Sequence, residues 1–211
     1  PEQNVCSPSD IANAINPDKP LIIVTFYRAF ITAADLKPIK AIFDALRIRG
    51  FEVLGLFSPS LKIPDAAEWI ISQIKQFKPV CIVNATSFSG RGASGESPLD
   101  IGDVPVFQVA LSTSNRAAWK EAGRGLSPAD MAMHVVLPEV DGRIFAGVAS
   151  FKEPGIQDKD LEFFRIEHQP DKERIVAITD KVCRWYKLQT KPLESQKAAL
   201  ILSTYPGRPW Q

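Results

Sequence analysis

The stretch Leu21-Ile-Ile-Val-Thr-Phe26 is an unbroken apolar run rich in β-branched residues, which is typical of a strand buried on both faces. Helical spacing follows over residues 35–49, where apolar side chains recur on one face. Gly50 then stands where a helix C-cap is expected. A buried strand followed by an amphipathic helix predicts the first unit of an α/β fold.

The same alternation of strand and helix continues along the chain. Pro64 opens a second helix, whose inner stripe is expected to include Trp69, Ile70 and Ile74, and Asp171–Gln189 is a long amphipathic helix. The further predicted strands are Phe51–Phe57, Val80–Val83, Val104–Val109, Ile144–Ser150 and Ala198–Leu202. This order predicts an α/β fold with an open, mostly parallel sheet of the Rossmann-like or flavodoxin-like kind and flanking helices.

A second stretch, Met131-Ala-Met-His-Val-Val-Leu-Pro-Glu-Val-Asp-Gly142, ends an apolar run with a turn that contains two carboxylates. We predict a strand over Met131–Leu137, joined to the strand at Ile144–Ser150 by a short turn. That turn is short enough for a hairpin near 131–150, which would add an antiparallel element to the sheet. The chain then divides into an N-terminal arm (1–18), an α/β domain (19–190) and a segment (191–211) with the last strand and the start of the next domain of a longer parent.

Composition excludes several classes of function. The 211 residues are 45% hydrophobic and 23% charged with a net charge of +1, so no basic surface for nucleic acid or a membrane is indicated. The three cysteines are odd in number and widely spaced, which favours a reducing cytoplasm over a disulfide framework. No GxxxxGK[ST] motif is present, so no P-loop for ATP is predicted.

Polar side chains gather at the carboxyl ends of the predicted strands, where ligands bind in open parallel sheets. Asn84, Thr86 and Gln108 stand there, and Glu139 is expected at the end of the strand that carries His134. Each has a plainer interpretation, because loops are polar everywhere and a histidine in an apolar run is more often a core residue than a metal ligand. Asp141 is expected chiefly to form the turn with Gly142. His168, Cys81 and Cys183 are expected to be structural or incidental.

The loop Ser87–Pro98 contains the pattern GxGxxG at Gly90, Gly92 and Gly95. The dinucleotide-binding fingerprint requires its first glycine at the turn from strand to helix, whereas these glycines lie well past the strand and no helix follows. A flexible surface loop is therefore favoured over a dinucleotide site. The functional alternative is a lid over a ligand, with Arg91 as an anion contact.

Eight blocks of the sequence, taken together, carry a family resemblance. The blocks are Tyr27-Arg28, Ser60-Leu-Lys62, Asn84-Ala-Thr86, Ser97-Pro-Leu-Asp100, Asp103-Val-Pro-Val-Phe-Gln108, His134-Val-Val-Leu-Pro-Glu-Val-Asp-Gly142, Phe145-Ala-Gly147 and Leu202-Ser-Thr-Tyr-Pro-Gly-Arg208. They resemble the large subunit of aerobic cobaltochelatase and, more distantly, the porphyrin-binding large subunit of magnesium chelatase. The resemblance runs from about Leu21 to the C-terminus, and family members are far longer.

The resemblance implies insertion of Co²⁺ into hydrogenobyrinic acid a,c-diamide during aerobic cobalamin synthesis. It also implies that ATP is hydrolysed by two smaller partner subunits, including an AAA+ ATPase, which agrees with the missing P-loop. The substrate metal needs O or N ligands, and the ring N–H protons need a base.

On that basis Glu139 is the expected metal ligand or proton acceptor, with His134 and Asp141 as further metal ligands. Arg28 and Arg91 are candidates to pair with the peripheral carboxylates of the tetrapyrrole, because a guanidinium binds a carboxylate through two parallel hydrogen bonds. Two alternatives remain: a magnesium chelatase subunit, or a non-catalytic domain that only binds ligand or scaffolds the parent protein.

Overall fold

A six-stranded sheet forms the centre of the computed structural model, which describes residues 8–92, 95–123, 125–158 and 162–201. The strands are β1 (Leu21–Tyr27), β2 (Glu52–Ser58), β3 (Cys81–Asn84), β4 (Val106–Leu111), β5 (Ile144–Asp158) and β6 (Phe163–Pro170). Their order is β2-β1-β3-β4-β5-β6; neighbours from β2 to β5 are parallel and β6 is antiparallel to β5. The predicted open, mostly parallel α/β sheet is confirmed.

The helices connect and cover these strands. They are α1 (Pro8–Ala14), α2 (Arg28–Thr32), α3 (Lys37–Ile48), α4 (Pro64–Phe77), α5 (Arg116–Glu121), α6 (Pro128–Met131), α7 (Leu137–Val140) and α8 (Lys172–Thr190). A π-helix spans Ala132–Val136, and 3₁₀ turns lie at Asp100–Gly102 and Leu193–Ser195. The helices predicted near 35–49, from Pro64 and near 171–189 are confirmed as α3, α4 and α8.

The sheet is buried between two layers because successive side chains of β1 point to opposite faces. Ile22 and Val24 pack with α3 and α8, whereas Leu21 and Ile23 pack with α4. Full burial of one such side chain contributes about 1.5–3 kcal/mol, so this double packing explains the unbroken apolar run. The inner stripe of α4 was predicted correctly at Ile70 and Ile74 and wrongly at Trp69, which is 40% exposed.

The predicted strand at Met131–Leu137 and the hairpin near 131–150 are wrong. Residues 128–140 form α6, the π-helix and α7 in succession. Together with the turn at Asp141 and Gly142 they make a unit, residues 128–142, that we call the crossover segment. Since β4 and β5 are parallel, the chain must return along the sheet between them, which a tight hairpin cannot do. The antiparallel pair joins β5 to β6 instead, and sequence reasoning did not predict β6.

Pro138 ends the π-helix of the crossover segment. The N–H of Leu137 reaches back five residues to the carbonyl of Ala132, and Pro138 has no N–H to give to the carbonyl of Met133. That carbonyl accepts a 2.7 Å hydrogen bond from the backbone N–H of Phe88 instead. The π turn therefore ties the crossover segment to the Ser87–Pro98 loop, which we call the glycine loop.

Three further expectations concern the C-terminal segment, membranes and cysteines. Residues 198–201 form no strand, and the remainder of the predicted strand and of the Leu202–Arg208 block lies outside the described residues. No helix within the described ranges has the length and apolar content needed to cross a bilayer. Cys81 and Cys183 are free thiols, and burial raises the pKa of Cys81 to about 12, in keeping with an inert core residue.

Candidate functional site

The strand order reverses between β1 and β3, and the carboxyl ends of these strands form the edge where doubly wound sheets bind ligands. At this edge the Tyr27 hydroxyl donates a 2.6 Å hydrogen bond to the carbonyl of Ser87. That bond joins the end of β1 to the glycine loop. Arg28 follows directly at the start of α2, where its side chain is exposed.

Asn84, Thr86 and Gln108 form one buried hydrogen-bonded network at the same edge. The Asn84 Oδ1 accepts from the Thr25 hydroxyl at 2.7 Å and from the Thr86 hydroxyl at 2.8 Å, while its Nδ2 donates to Gln108 Oε1 at 2.7 Å. Gln108 Nε2 then donates to the carbonyl of Thr86 at 2.7 Å. The structure thus brings together three predicted substrate-binding residues, whose polar groups hold the strand ends and the start of the next loop.

His134 lies at the carboxyl end of β4 beside a buried carboxylate that sequence reasoning missed. Asp130, fully buried, accepts hydrogen bonds from the Ser112 hydroxyl at 2.8 Å and from the Thr113 N–H and hydroxyl at 2.9 Å each. His134 Nε2 stands 4.0 Å from Asp130 Oδ1, and its buried Nδ1 has no hydrogen-bond partner among the described residues. Burial lowers the pKa of His134, and the Asp130 charge opposes that shift in part.

His168 of β6 is a second buried imidazole at this edge. Its Nδ1 lies 3.0 Å from the Ser150 hydroxyl, its backbone N–H donates to the Asp35 carboxylate at 3.0 and 3.2 Å, and its ring contacts Phe30. Burial is the main cause that lowers the pKa of His168 to about 4; the Asp35 charge opposes this shift, and nearby Lys152 and His134 add to it. Two neutral imidazoles therefore share this edge, and each can act as a nitrogen ligand or a proton acceptor.

The Asp35 and Ser150 neighbours of His168 are distant in sequence, which is why we expected that histidine to be structural or incidental. A usable signal was present in the alternation Phe164, Ile166, His168 against Arg165 and Glu167, which is the two-residue period of a strand. No comparable sequence pattern marks Asp130, because its hydrogen-bond donors Ser112 and Thr113 precede α5 in the sequence whereas Asp130 follows it.

Asp141 anchors the glycine loop. Its buried carboxylate accepts from the Ser89 hydroxyl at 2.8 Å and the Gly90 N–H at 2.6 Å, and Arg91 Nε lies 3.2 Å away. Arg91 also donates to the carbonyl of Gly95 at 2.9 Å, so the predicted anion-binding arginine is engaged within its own loop. The glycine loop is tied to the crossover segment at both Met133 and Asp141.

Glu139 lies on the outer surface of α7 and is exposed. Val136 and Val140, which are 50% and 70% exposed, flank it on that surface. We predicted Glu139 at the carboxyl end of a strand; that position is wrong, because the residue precedes the amino end of β5. His134 faces inward and Glu139 faces outward, while the Asp141 carboxylate is hydrogen-bonded to the glycine loop. The three predicted metal ligands therefore do not converge, and the described residues contain no group of three His, Cys, Asp or Glu suited to hold a metal.

Comparison with known proteins gives consistent matches. The CobN/Magnesium Chelatase family model matches residues 2–209. The aerobic cobaltochelatase subunit CobN of Sinorhizobium sp is 33% identical over 194 residues, which cover 90% of this chain and 15% of that protein. A magnesium-chelatase subunit of Rhodobacter capsulatus is 27% identical over 94% of this chain and 18% of its own length. The solved catalytic subunit of cobaltochelatase from Mycobacterium tuberculosis superposes with a TM-score of 0.66 and 27% identity, covering 84% of this chain and 15% of that one.

Proposed function

The chain belongs to the CobN/magnesium chelatase family, and from that premise we propose that it is part of the tetrapyrrole- and metal-binding large subunit of an ATP-dependent cobaltochelatase. The proposed reaction inserts Co²⁺ into hydrogenobyrinic acid a,c-diamide. The observation that supports cobalt most directly is the pair of buried neutral imidazoles, His134 and His168. Imidazole nitrogen suits Co²⁺, whereas Mg²⁺ prefers oxygen ligands.

Within this proposal His134 and Glu139 have separate tasks. His134, whose Nδ1 has no hydrogen-bond partner among the described residues, would hold Co²⁺ as a nitrogen donor before the metal reaches the macrocycle. Glu139 accepts a ring N–H proton that the metal displaces, as a general base. Its flanks, Val136 and Val140, offer an apolar surface on which a flat macrocycle can lie. Asp141 contributes by holding the glycine loop, and its role as a metal ligand stays a prediction.

Substrate recognition is proposed to rest on the arginines. Arg28 is exposed at the ligand-binding edge and suits a peripheral carboxylate of the tetrapyrrole. Arg91, with 44% of its side chain exposed, can serve a second carboxylate while it keeps its contact with Asp141. Asn84, Thr86 and Gln108 would act on substrate through the shape of the edge they hold. ATP hydrolysis is assigned to two smaller partner subunits, including an AAA+ ATPase, and a cytoplasmic setting fits the free thiols of Cys81 and Cys183.

The test is Co²⁺ insertion by the full-length subunit with its partner subunits, ATP and hydrogenobyrinic acid a,c-diamide. Glu139→Gln should lower the insertion rate about 100-fold, the scale of a lost general base, while tetrapyrrole binding is retained. Glu68→Gln, the same change at an exposed glutamate of α4, is the matched control. Insertion at the wild-type rate by Glu139→Gln would reject the base and favour a non-catalytic scaffold.

A magnesium chelatase subunit is the second candidate, favoured by the match to the Rhodobacter capsulatus magnesium-chelatase subunit over 94% of this chain. The two candidates differ in metal and macrocycle. Insertion of Mg²⁺ into a porphyrin, with no insertion of Co²⁺ into the corrinoid, would establish the second candidate. Replacement of His134 by Gln separates them further, because it should impair Co²⁺ insertion and leave Mg²⁺ insertion largely intact.

A further inference from the structure

A cavity of about 650 Å³ opens at the amino ends of β4 and β5, the edge of the sheet opposite the two imidazoles. The start of β4, the end of the crossover segment and the last turns of α8 surround it. Its volume lies within the range of ordinary ligand and peptide-anchor pockets. Asp141 contributes to its wall, and the roles proposed for His134, Glu139 and the arginines do not use the cavity. Its wall combines the apolar residues Val104, Pro105, Trp185 and Leu188 with the charged residues Asp100, Asp103 and Arg143.

Trp185 supplies an aromatic wall that is both exposed and braced. Trp185 is 40% exposed, and its ring centroid lies 6.0 Å from that of Phe107 with an interplanar angle of 82°, a T-shaped contact. Because Phe107 is fully buried, the indole is held against a rigid support. Exposed tryptophans fixed in this way are typical anchors in protein interfaces.

The charges on the wall favour a cation. Arg143 is buried and its Nη1 lies 2.6 Å from Asp100 Oδ1, so that pair is internally neutral. Asp141 is likewise paired with Arg91. Asp103 is exposed, and no salt bridge to it is found among the described residues, so its negative charge is left for a ligand.

A ligand that fits must therefore meet two requirements, a positive group for Asp103 and a flat or apolar surface for Trp185. A peptide with an arginine meets both, because its guanidinium stacks on indole and pairs with carboxylate. Arg143 Nη2 has no hydrogen-bond partner in the described part of the chain, but it is buried and therefore out of the reach of a ligand.

We propose that this cavity docks an arginine-bearing segment of a partner subunit, with the guanidinium between the Trp185 indole and the Asp103 carboxylate. The names of the Sinorhizobium and Rhodobacter relatives support the existence of a partner subunit, since both proteins are called subunits. The proposal concerns assembly and is independent of the chemistry assigned to His134 and Glu139. Its test accordingly uses binding alone, so that its failure leaves the proposed metal insertion untouched.

The experiment is an NMR titration of the ¹⁵N-labelled chain with the blocked pentapeptide Gly-Leu-Arg-Leu-Gly. The indole N–H signal of Trp185, assigned with Trp185→Phe, should shift to saturation. The same peptide with citrulline, which keeps the shape of arginine and removes its charge, should bind about fivefold more weakly. Asp103→Asn should weaken the arginine peptide to the level of the citrulline peptide. Asparagine tolerates the left-handed backbone at Asp103, where φ is 47°, so this variant keeps the local fold.

Asp44→Asn, the same charge change at an exposed position of α3, is the control and should bind the arginine peptide as the wild type does. Equal affinity for the arginine and citrulline peptides would overturn the proposal, and so would wild-type binding by Asp103→Asn. A Trp185 signal that moves only with protein concentration would assign the cavity to a second copy of this chain, which also rejects a basic partner segment.

Discussion

The two ends of the crossover segment use the same residue types in different ways. At the carboxyl edge of the sheet, the buried carboxylate of Asp130 accepts three hydrogen bonds from Ser112 and Thr113. His134 beside it has a buried nitrogen without a hydrogen-bond partner in the described part of the chain. At the other end, buried Asp141 is saturated by the glycine loop, and Glu139 beside it is exposed.

This contrast shows which groups are available for chemistry. A buried carboxylate with its oxygens fully hydrogen-bonded is committed to structure, because any ligand would have to displace those bonds. Asp130 and Asp141 are of this kind. His134 and Glu139 retain capacity to bind or accept, one facing inward and the other outward. Each end thus combines a structural carboxylate with an available group. Substitution of the carboxylate should mainly lower stability, whereas substitution of the available group should mainly affect binding or metal insertion.

The largest expected effect on stability is at Asp141. Asp141→Ala leaves the Ser89 hydroxyl, the Gly90 N–H and the Arg91 guanidinium without their acceptor, and it should lower the free energy of unfolding by about 3–4 kcal/mol. Glu139→Ala should change it by less than about 0.5 kcal/mol, since the side chain is exposed. Urea unfolding monitored by circular dichroism measures both. Equal losses for the two variants would remove the distinction drawn between them.

The pH dependence of stability should come from the carboxyl edge. The pKa of His168 is about 4 in the folded chain against an ordinary value of 6.5, so between these values the unfolded chain binds a proton that the folded chain does not. The contribution of His168 to the free energy of unfolding is therefore fully present above about pH 6.5. It falls by roughly 2–3 kcal/mol as the pH drops to 4. The lowered pKa of His134 acts in the same direction.

His168→Gln isolates this contribution, because other acidic groups titrate alike in both proteins. Glutamine keeps a hydrogen-bonding partner for Ser150 and carries no charge at any pH. The difference in unfolding free energy between wild type and variant, measured by urea unfolding from pH 7.5 to 4, should shrink as the pH falls. If the plots of unfolding free energy against pH for the wild type and the variant stay parallel, His168 is not held neutral by the fold.

The polar network at the carboxyl edge should show an intermediate effect. Asn84→Ala removes the acceptor for the Thr25 and Thr86 hydroxyls and the donor to Gln108, at a cost of about 2 kcal/mol. Thermal unfolding measures the loss. If these residues serve the substrate only through the shape they hold, Gln108→Glu, which keeps an acceptor for Asn84, should weaken tetrapyrrole binding in proportion to its loss of stability. A loss of binding without a loss of stability would indicate direct contact instead.

Much of the fold could be predicted because its signals are local. The double-sided apolar run of β1 and the helical spacing of α3 are visible within a dozen residues. The error at Met131–Leu137 has a physical reason: a short apolar run satisfies a buried strand and a buried helix equally well. The missing N–H of Pro138 leaves the Met133 carbonyl free to accept a hydrogen bond from the glycine loop. That contact joins residues distant in sequence, so a local sequence pattern cannot predict it.

The candidate site was less predictable, since its organisation depends on contacts between distant residues. Asp141 meets Ser89 and Gly90 across 52 and 51 positions of sequence, and the turn pattern Asp141-Gly142 does not reveal these partners. Residue type predicted which groups are chemically capable. Burial and hydrogen bonding, which determine whether that capability remains available, required the folded chain.

The smallest expected effect on stability tests the outer face of α7. Val140 is 70% exposed, so Val140→Ser should change the free energy of unfolding by less than about 0.5 kcal/mol. If the macrocycle lies on the surface around Glu139, however, the lost apolar contact should weaken tetrapyrrole binding about threefold to tenfold. Fluorescence quenching by the bound tetrapyrrole gives the affinity. Ile48→Ser, at a residue of α3 that is 84% exposed, is the control and should leave binding unchanged. Equal affinities for both variants and the wild type would mean that the macrocycle lies elsewhere, which would leave the inward-facing His134 as the available group of the crossover segment.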